Sequence, residues 1–369
     1  MRQTLKTLFC LAALLSSNML SAAQYRIETW ADGLDLPWSI AFLPGGDALV
    51  SELGGALRPV SAEGKVGAPL KNVPAVYFAG QGGLFDVVLH PAFASNRLVY
   101  ISFAEGSASD NGTAVARGRL SAGALENVEI IFRNFSRKGT PVHYGGRLAF
   151  MHDGKLLLTT GEGFDYREAA QDVRSGLGKL IRLNDDGSPA AGNPFPESPY
   201  VYSYGHRNPQ GLAVDHNGVV WLHEHGPKGG DELNRIEAGV NYGWPAITFG
   251  KDYSGAVISP YTAWEGMAQP VWHWTPSIAP SGLAIYNGKL FPEWKGDLFV
   301  GALVNKEVRR ITLSNGEVIA EEEMFDELEV RIRDVRNGPD GALYILTPDR
   351  VVRVVPAVTS KARSPDEIP

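Results

Sequence analysis

The chain of 369 residues has a single cysteine, Cys10. That excludes an internal disulfide framework and a cysteine-based zinc site. Basic runs are missing too, and 34 Lys and Arg against 41 Asp and Glu leave a net charge of −7. Nucleic acid, which needs a positive footprint, is not an expected partner. The apolar run Leu8–Leu15 falls far short of the ~20 residues of a spanning helix. The amphipathic helix of about 10–15 residues that each unit of a parallel α/β fold would require is also missing.

What the N-terminus has is a layout of three parts. Arg2 and Lys6 precede the apolar run, Ser16-Ser17-Asn18 follows it, and Ser21-Ala22-Ala23 ends it. This reads as a secretory signal over residues 1–23, with cleavage expected after Ala23. Its removal takes away the only cysteine. The remaining 24–369 would be a soluble exported protein, periplasmic in a Gram-negative cell.

Glycine and proline are in excess, with 42 and 24 residues, about 18% of the chain against a usual ~12%. They are spread along the chain without a collagen period, as tight turns would be. They punctuate a unit of apolar strand, turn and apolar strand that occurs six times. The units are anchored at Ala41, Val88, Ala149, Ala213, Ala284 and Val335. The mean spacing is about 59 residues, and turns such as His152-Asp153-Gly154 and Pro339-Asp340-Gly341 close hairpins. A sheet of four short strands cannot bury both faces alone, so the units must pack on one another. The expected fold is all-β, a single domain forming a six-bladed propeller of four-stranded antiparallel blades. Tyr25–Trp30 is expected to join the C-terminal strand Val351–Val355 and close the ring. Glu317–Glu329 is expected to be edge strand plus loop.

Propellers place sites on the loops at the channel mouth, and five loops carry more than turn chemistry. Gln81 stands among glycines in Gly80–Gly83. His143 precedes an inner strand, where an imidazole can act as a base if a carboxylate orients it, and Glu162 in Gly161-Glu162-Gly163 is a candidate partner. Arg207 lies within Gly205-His206-Arg207-Asn208-Pro209-Gln210 and can stabilise an oxyanion or a quinone oxygen. His223 and His225 share a strand face and would make two zinc ligands, yet no third ligand motif accompanies them. The carbonyls of Gly226 and Pro227 suit a hard cation such as calcium better. Arg331 and Arg333, at strand spacing, would clamp a carboxylated ligand. Together these residues point to a planar anion held by a cation.

These same segments resemble the soluble quinoprotein sugar dehydrogenases, and among them the bacterial aldose sugar dehydrogenases that use pyrroloquinoline quinone (PQQ). The resemblance runs from about Leu36 to Val355. It is carried by GQGGL (80–84), HPAF (90–93), GHRNPQGLA (205–213), EHGP with DE and NYGWP (224–245), APSG (279–282) and RIRDV (331–335). It implies oxidation of aldoses at C1 to lactones, with electrons passed to an external acceptor. It implies His143 as the base, Glu162 as its acidic partner, and Arg207 and Asn208 at the quinone oxygens. Gln81, His225, Arg331 and Arg333 would line the cofactor pocket. Gly226 and Pro227 would give carbonyls to a calcium ion, and Glu232, Asp252 and the Tyr242 backbone would form a second, structural calcium site. Two departures touch the pocket: Val304 stands where the soluble glucose dehydrogenases have a lysine, and His225 where they have a glutamine. A monomer or homodimer is compatible with the sequence. Two other functions share the architecture, a calcium-dependent lactonase and a non-catalytic saccharide-binding propeller. The first expects carboxylates or amides converging on a channel metal. The second expects His143 and Glu162 to lie apart.

Overall fold

A computed structural model describes residues 25–357. The expected signal, residues 1–23, lies outside the described residues. Six antiparallel sheets form a ring. Their inner strands are Pro37–Phe42, Leu84–Leu89, Gly145–Phe150, Pro209–Val214, Pro280–Ile285 and Asp334–Asn337, and each touches the next around a central axis. We number the blades 1 to 6 in that order. The anchor of each sequence unit falls on an inner strand.

The ring closes as the alternation of Tyr25–Trp30 predicts. Tyr25–Asp32 pairs antiparallel with Arg350–Pro356 as the outer strand of blade 6. Glu28 and Arg353 reinforce that pair with a charged hydrogen bond of 2.9 Å. Glu317–Met324 is the outer strand of blade 5 and gives way to a short 3-10 turn, Asp326–Leu328. Blade 1 departs from the four-stranded expectation. It has three strands, Pro37–Phe42, Ala48–Glu52 and Leu57–Val60, and the chain beyond them adds only the bridge Val60–Val66. Pro69 and Pro74 lack the N–H groups that a fourth ladder needs, and Lys71 pairs instead with Ala124 of blade 2.

The apolar core lies between blades, as the stacking argument requires. One cluster joins Leu49 and Leu57 of blade 1 to Leu84 and Phe103 of blade 2. Equivalent clusters fill the other five interfaces, the last bringing Trp30 and Tyr344 of blade 6 against Ile40 and Val50 of blade 1. Each fully buried side chain of this kind contributes about 1.5–3 kcal/mol.

The axis is polar, and one side chain spans it. Arg147, fully buried on the inner strand of blade 3, reaches every other blade. It lies over the Trp38 ring of blade 1 at 4.0 Å and 3.9 Å from Asp86 of blade 2. Its Nε donates to the Gln210 carbonyl of blade 4 at 2.6 Å, and Nη2 donates to the Ser281 carbonyl of blade 5 at 3.4 Å. Nη1 stands 3.0 Å from Asp334 of blade 6. Arg336 bridges the same two acids, at 2.8 Å from Asp334 and 3.0 Å from Asp86. Gly282 makes room for this layer, since a Cβ there would lie 2.3 Å from Asp334 Oδ1. The layer divides the channel into two cavities. One includes Gly145, Gln210 and Arg333 in its walls, the other Leu148, Leu212 and Arg336.

Candidate active site

All six inner strands start at one end of the ring, so the loops before them gather there. This is why Gln81, His143, Asn208 and Arg331, far apart in sequence, meet. The cavity at that end has a volume of about 290 Å³. Gln81, Asn208, Gln210, His225, Arg331 and Arg333 supply its polar wall, and Trp38, Phe85 and Tyr144 its aromatic wall. A wider cleft of about 860 Å³ shares His225 and Ala279 with it and runs over Gly226, Pro227, Tyr253, Thr275 and Val304.

His143 and Glu162 form a buried pair. Nδ1 of the imidazole is 2.8 Å from Glu162 Oε1. The ring is 6% exposed and sits edge-on beneath Phe164, at 5.3 Å between centroids. Its backbone adopts φ +53°, sparsely populated for a residue with a Cβ. Two contacts hold it there: the His143 N–H donates to Gln81 Oε1 at 2.8 Å, and Gly161 approaches so closely that a Cβ would lie 2.3 Å from the His143 carbonyl oxygen. Burial, then the charges of Arg207 and Lys138, hold the imidazole well below its ordinary value of 6.5. Burial also pushes the Glu162 carboxyl up to about 7. Around neutral pH the imidazole is uncharged. With its proton on Nδ1 it donates to Glu162 and leaves the Nε2 lone pair free.

The shift at Glu162 has a consequence for stability. Its folded value lies above the ordinary carboxyl value of 4.5, so the native state holds this proton more tightly than the unfolded chain. Stability therefore falls as pH rises through the window between those values and stays lower above it. Glu162→Gln is expected to raise the thermal midpoint by several degrees at pH 8 and by little at pH 5. Scanning calorimetry at both pH values checks this; an equal change at both would rule out the ionised carboxylate as its source.

Arg207 stands beside the pair. Its carbonyl accepts from the Glu162 N–H at 2.9 Å. Its Nη1 donates to the carbonyls of Gly226 at 2.6 Å and His225 at 3.2 Å, while its buried Nε has no partner. Trp244 and Tyr253 flank the guanidinium at 5.2 and 5.9 Å, and Tyr253 stacks on Phe164. Asn208 Oδ1 accepts from Gln210 Nε2 at 3.3 Å. Glu224, missed in the sequence reading, holds this loop: His206 Nδ1 lies 2.8 Å from its Oε1, and the Arg207 N–H donates to Oε2.

Arg331 and Arg333 precede the inner strand of blade 6 and do not belong to it, yet both line the cavity. Burial and the nearby charges of Arg147 and Arg331 push Arg333 down to about 10. Two arginines without a carboxylate in the same walls make a site for an anion.

His223 and His225 do not act as a metal pair here. Their Nε2 atoms lie 3.2 Å from the Gly282 carbonyl and 2.7 Å from the Pro280 carbonyl. Asp231 instead organises the turn after them, accepting from the backbone N–H groups of Gly226, Ile278 and Ala279. Glu232 and Tyr242 both adjoin the His206–Glu224 pair, whereas Asp252 belongs to an exposed turn. Glu232 is opposite Glu224 in the blade 4 ladder, and burial raises its carboxyl well above 4.5. The Tyr242 ring stacks on His206. Asp252 caps Ser254 and pairs with Arg167 at 3.6 Å. Among the described residues no group of three or more histidine, cysteine or acidic side chains is arranged to hold a metal ion.

Comparison with known proteins decides the family. A family model for glucose/sorbosone dehydrogenases matches residues 34–355. The chain belongs to this family. It is 43% identical to the aldose sugar dehydrogenase YliI of Escherichia coli strain K12, over 91% of this chain and 93% of that one. The crystal structure of the soluble aldose sugar dehydrogenase from Escherichia coli, in its apo-form, superposes with a TM-score of 0.87 at 41% identity, covering 90% of this chain and 100% of the other. The PQQ-bound aldose sugar dehydrogenase from Streptomyces coelicolor superposes with a TM-score of 0.74 at 35% identity, covering 90% and 99%.

Proposed function

We propose that this protein is a PQQ-dependent aldose sugar dehydrogenase that oxidises the C1 hydroxyl of an aldose to a lactone and passes the electrons to an external acceptor. The observation that carries the reading is His143, paired with Glu162 at 2.8 Å beside a cavity walled by Arg331 and Arg333. The cavity fits a flat polycarboxylate. Trp38, Phe85 and Tyr144 offer apolar surface to a ring, and the two arginines meet carboxylates. Bound PQQ would supply the two-electron acceptor for the hydride leaving C1.

The protein's own part is to place the sugar and move its proton. His143 Nε2 takes the C1 hydroxyl proton, and Glu162 holds Nδ1–H so that the growing positive charge on the ring is met by a carboxylate. Phe164 and Tyr253 cover the imidazole and Arg207 and limit water there. We place calcium at the carbonyls of Gly226 and Pro227. Calcium takes about 6–8 oxygen ligands, so Gly226 would exchange its bond to Arg207 for the ion and other oxygens would complete the shell. Val304, 58% exposed on the cleft, brings no charge, which leaves Arg331 and Arg333 as the cationic side chains of the inner cavity. Export to the periplasm, with signal cleavage after Ala23, belongs to the same proposal.

A lactonase would need carboxylates or amides converging on a channel metal; the cavity lining has the amides Gln81, Asn208 and Gln210 but no carboxylate, and its charged side chains are Arg331 and Arg333. A purely binding propeller would not need His143 and Glu162 at 2.8 Å. Purified protein given PQQ and calcium is expected to reduce a dye when an aldose is added. Silence across mono- and disaccharides, with hydrolysis of lactones in the absence of PQQ, would favour the lactonase instead.

A further inference from the structure

Lys138 is a buried lysine that the proton transfer does not use, and it lies directly behind the base. It is 3% exposed. Its Nζ donates to the carbonyls of Thr140 at 2.6 Å and Val142 at 2.8 Å, and to Asn111 Oδ1 at 3.2 Å. The ammonium also lies 3.5 Å from the centroid of the Tyr144 ring. Among the described residues no carboxylate forms an ion pair with it. A buried ammonium without a counter-ion is costly, and burial lowers this one to about 7.

The acceptors of Lys138 belong to the turn that carries His143. Thr140 and Val142 flank Pro141, whose carbonyl accepts from the Gln81 N–H at 2.8 Å. Thr140 Oγ1 donates to the Gly163 carbonyl at 2.6 Å, beside Glu162. Tyr144 donates its hydroxyl to Asn111 Oδ1 at 2.7 Å, and Asn111 exchanges backbone hydrogen bonds with Lys138 itself. Within 138–144 the carbonyls of Thr140 and Val142 are thus directed to the ammonium, the Lys138 backbone and the Tyr144 hydroxyl to Asn111, and the Pro141 carbonyl and His143 N–H to the Gln81 loop, around the left-handed backbone of His143.

We propose that Lys138 is a positioning residue for the His143–Glu162 pair: its ammonium draws in the carbonyls of Thr140 and Val142 and fixes the turn from which the imidazole projects. This rests on the reading of His143 as the base. The same charge biases the pair. The groups that act on His143 and Glu162 are Arg207, Lys138, Asp165 and Arg167, and those that act on Lys138 are Glu162 and Arg137. Removing the Lys138 charge makes both His143 and Glu162 hold protons more tightly, so the acid side of the rate profile moves to higher pH.

The test uses the full chain reconstituted with PQQ and calcium, as wild type, Lys138→Met and Lys138→Arg. For Lys138→Met we expect kcat to fall about 10–100-fold, with KM and PQQ affinity by fluorescence titration within about two-fold. Its acid limb moves up in pH. Lys138→Arg keeps the charge and is expected to leave that limb in place. A Lys138→Met enzyme with unchanged kcat and pH profile, altered only in thermal midpoint, would overturn the proposal. Should that variant not fold, Asn111→Ala removes one partner of the ammonium and keeps its charge. It is expected to lower kcat without moving the limb, and an unchanged kcat would equally overturn the proposal. Wild-type protein inactive on every sugar in the same assay would count against the proposed function instead.

Discussion

His143→Ala is expected to lower kcat by about 10³-fold while leaving PQQ affinity nearly intact. The asymmetry follows from where the side chain lies. The imidazole points to Glu162 beneath Phe164 and is not part of the cavity wall, whereas Gln81, Asn208, Arg331 and Arg333 are. Removing it takes away the proton acceptor and leaves the anion site standing. The pH dependence has a definite sign. The active form is neutral His143 with ionised Glu162, so wild-type turnover should fall as pH drops through about 7, where Glu162 gains its proton. Stopped-flow kinetics and a fluorescence titration on the same preparation separate the two effects. Loss of PQQ binding together with turnover would remove the base assignment.

Arg147→Met is expected to be among the most destabilising single changes in the chain, at about 3–5 kcal/mol. The arginine is itself fully buried and joins all six inner strands in one layer. Its loss leaves Asp334 and Asp86 to share Arg336 and strips donors from the carbonyls of Gln210 and Ser281. Combining it with Asp334→Asn removes one of the stranded charges. The pair should therefore be less harmful than the sum of its parts, with a coupling of about 2 kcal/mol. Chemical denaturation of the two single variants and the double variant measures this. Additive losses would mean that the ion pair contributes nothing beyond the packing of each side chain.

The repeat was the most legible feature because the inner strands are buried on both faces and written in small and branched apolar residues, with turn residues behind them. The lack of a fourth strand in blade 1 was not predictable from the period alone. Pro69 and Pro74 are local vetoes on a ladder, and a period carries no information about them. The polar residues of the channel mouth were visible because arginine, histidine and amides cluster before apolar strands in greater number than turn chemistry requires. Trp38, Phe85 and Tyr144 were missed because an aromatic on an inner strand, or just before one, looks the same whether it faces a neighbouring blade or a cavity. Lys138 was missed because nothing in its local sequence marks a lysine whose acceptors are backbone carbonyls. Glu232 and Asp252 looked alike as acids, yet one is half-buried in a ladder opposite Glu224 and the other caps an exposed turn.

The central claim is that the arginine-walled cavity holds a quinone which the His143–Glu162 pair couples to an aldose. Absorbance titration of the purified protein with PQQ in the presence of calcium tests it most directly. We predict saturation at one PQQ per chain and bleaching of the quinone band when an aldose is added, with the bleaching abolished in His143→Ala. No saturable uptake of PQQ, or a bound quinone whose spectrum no aldose changes, would contradict the account.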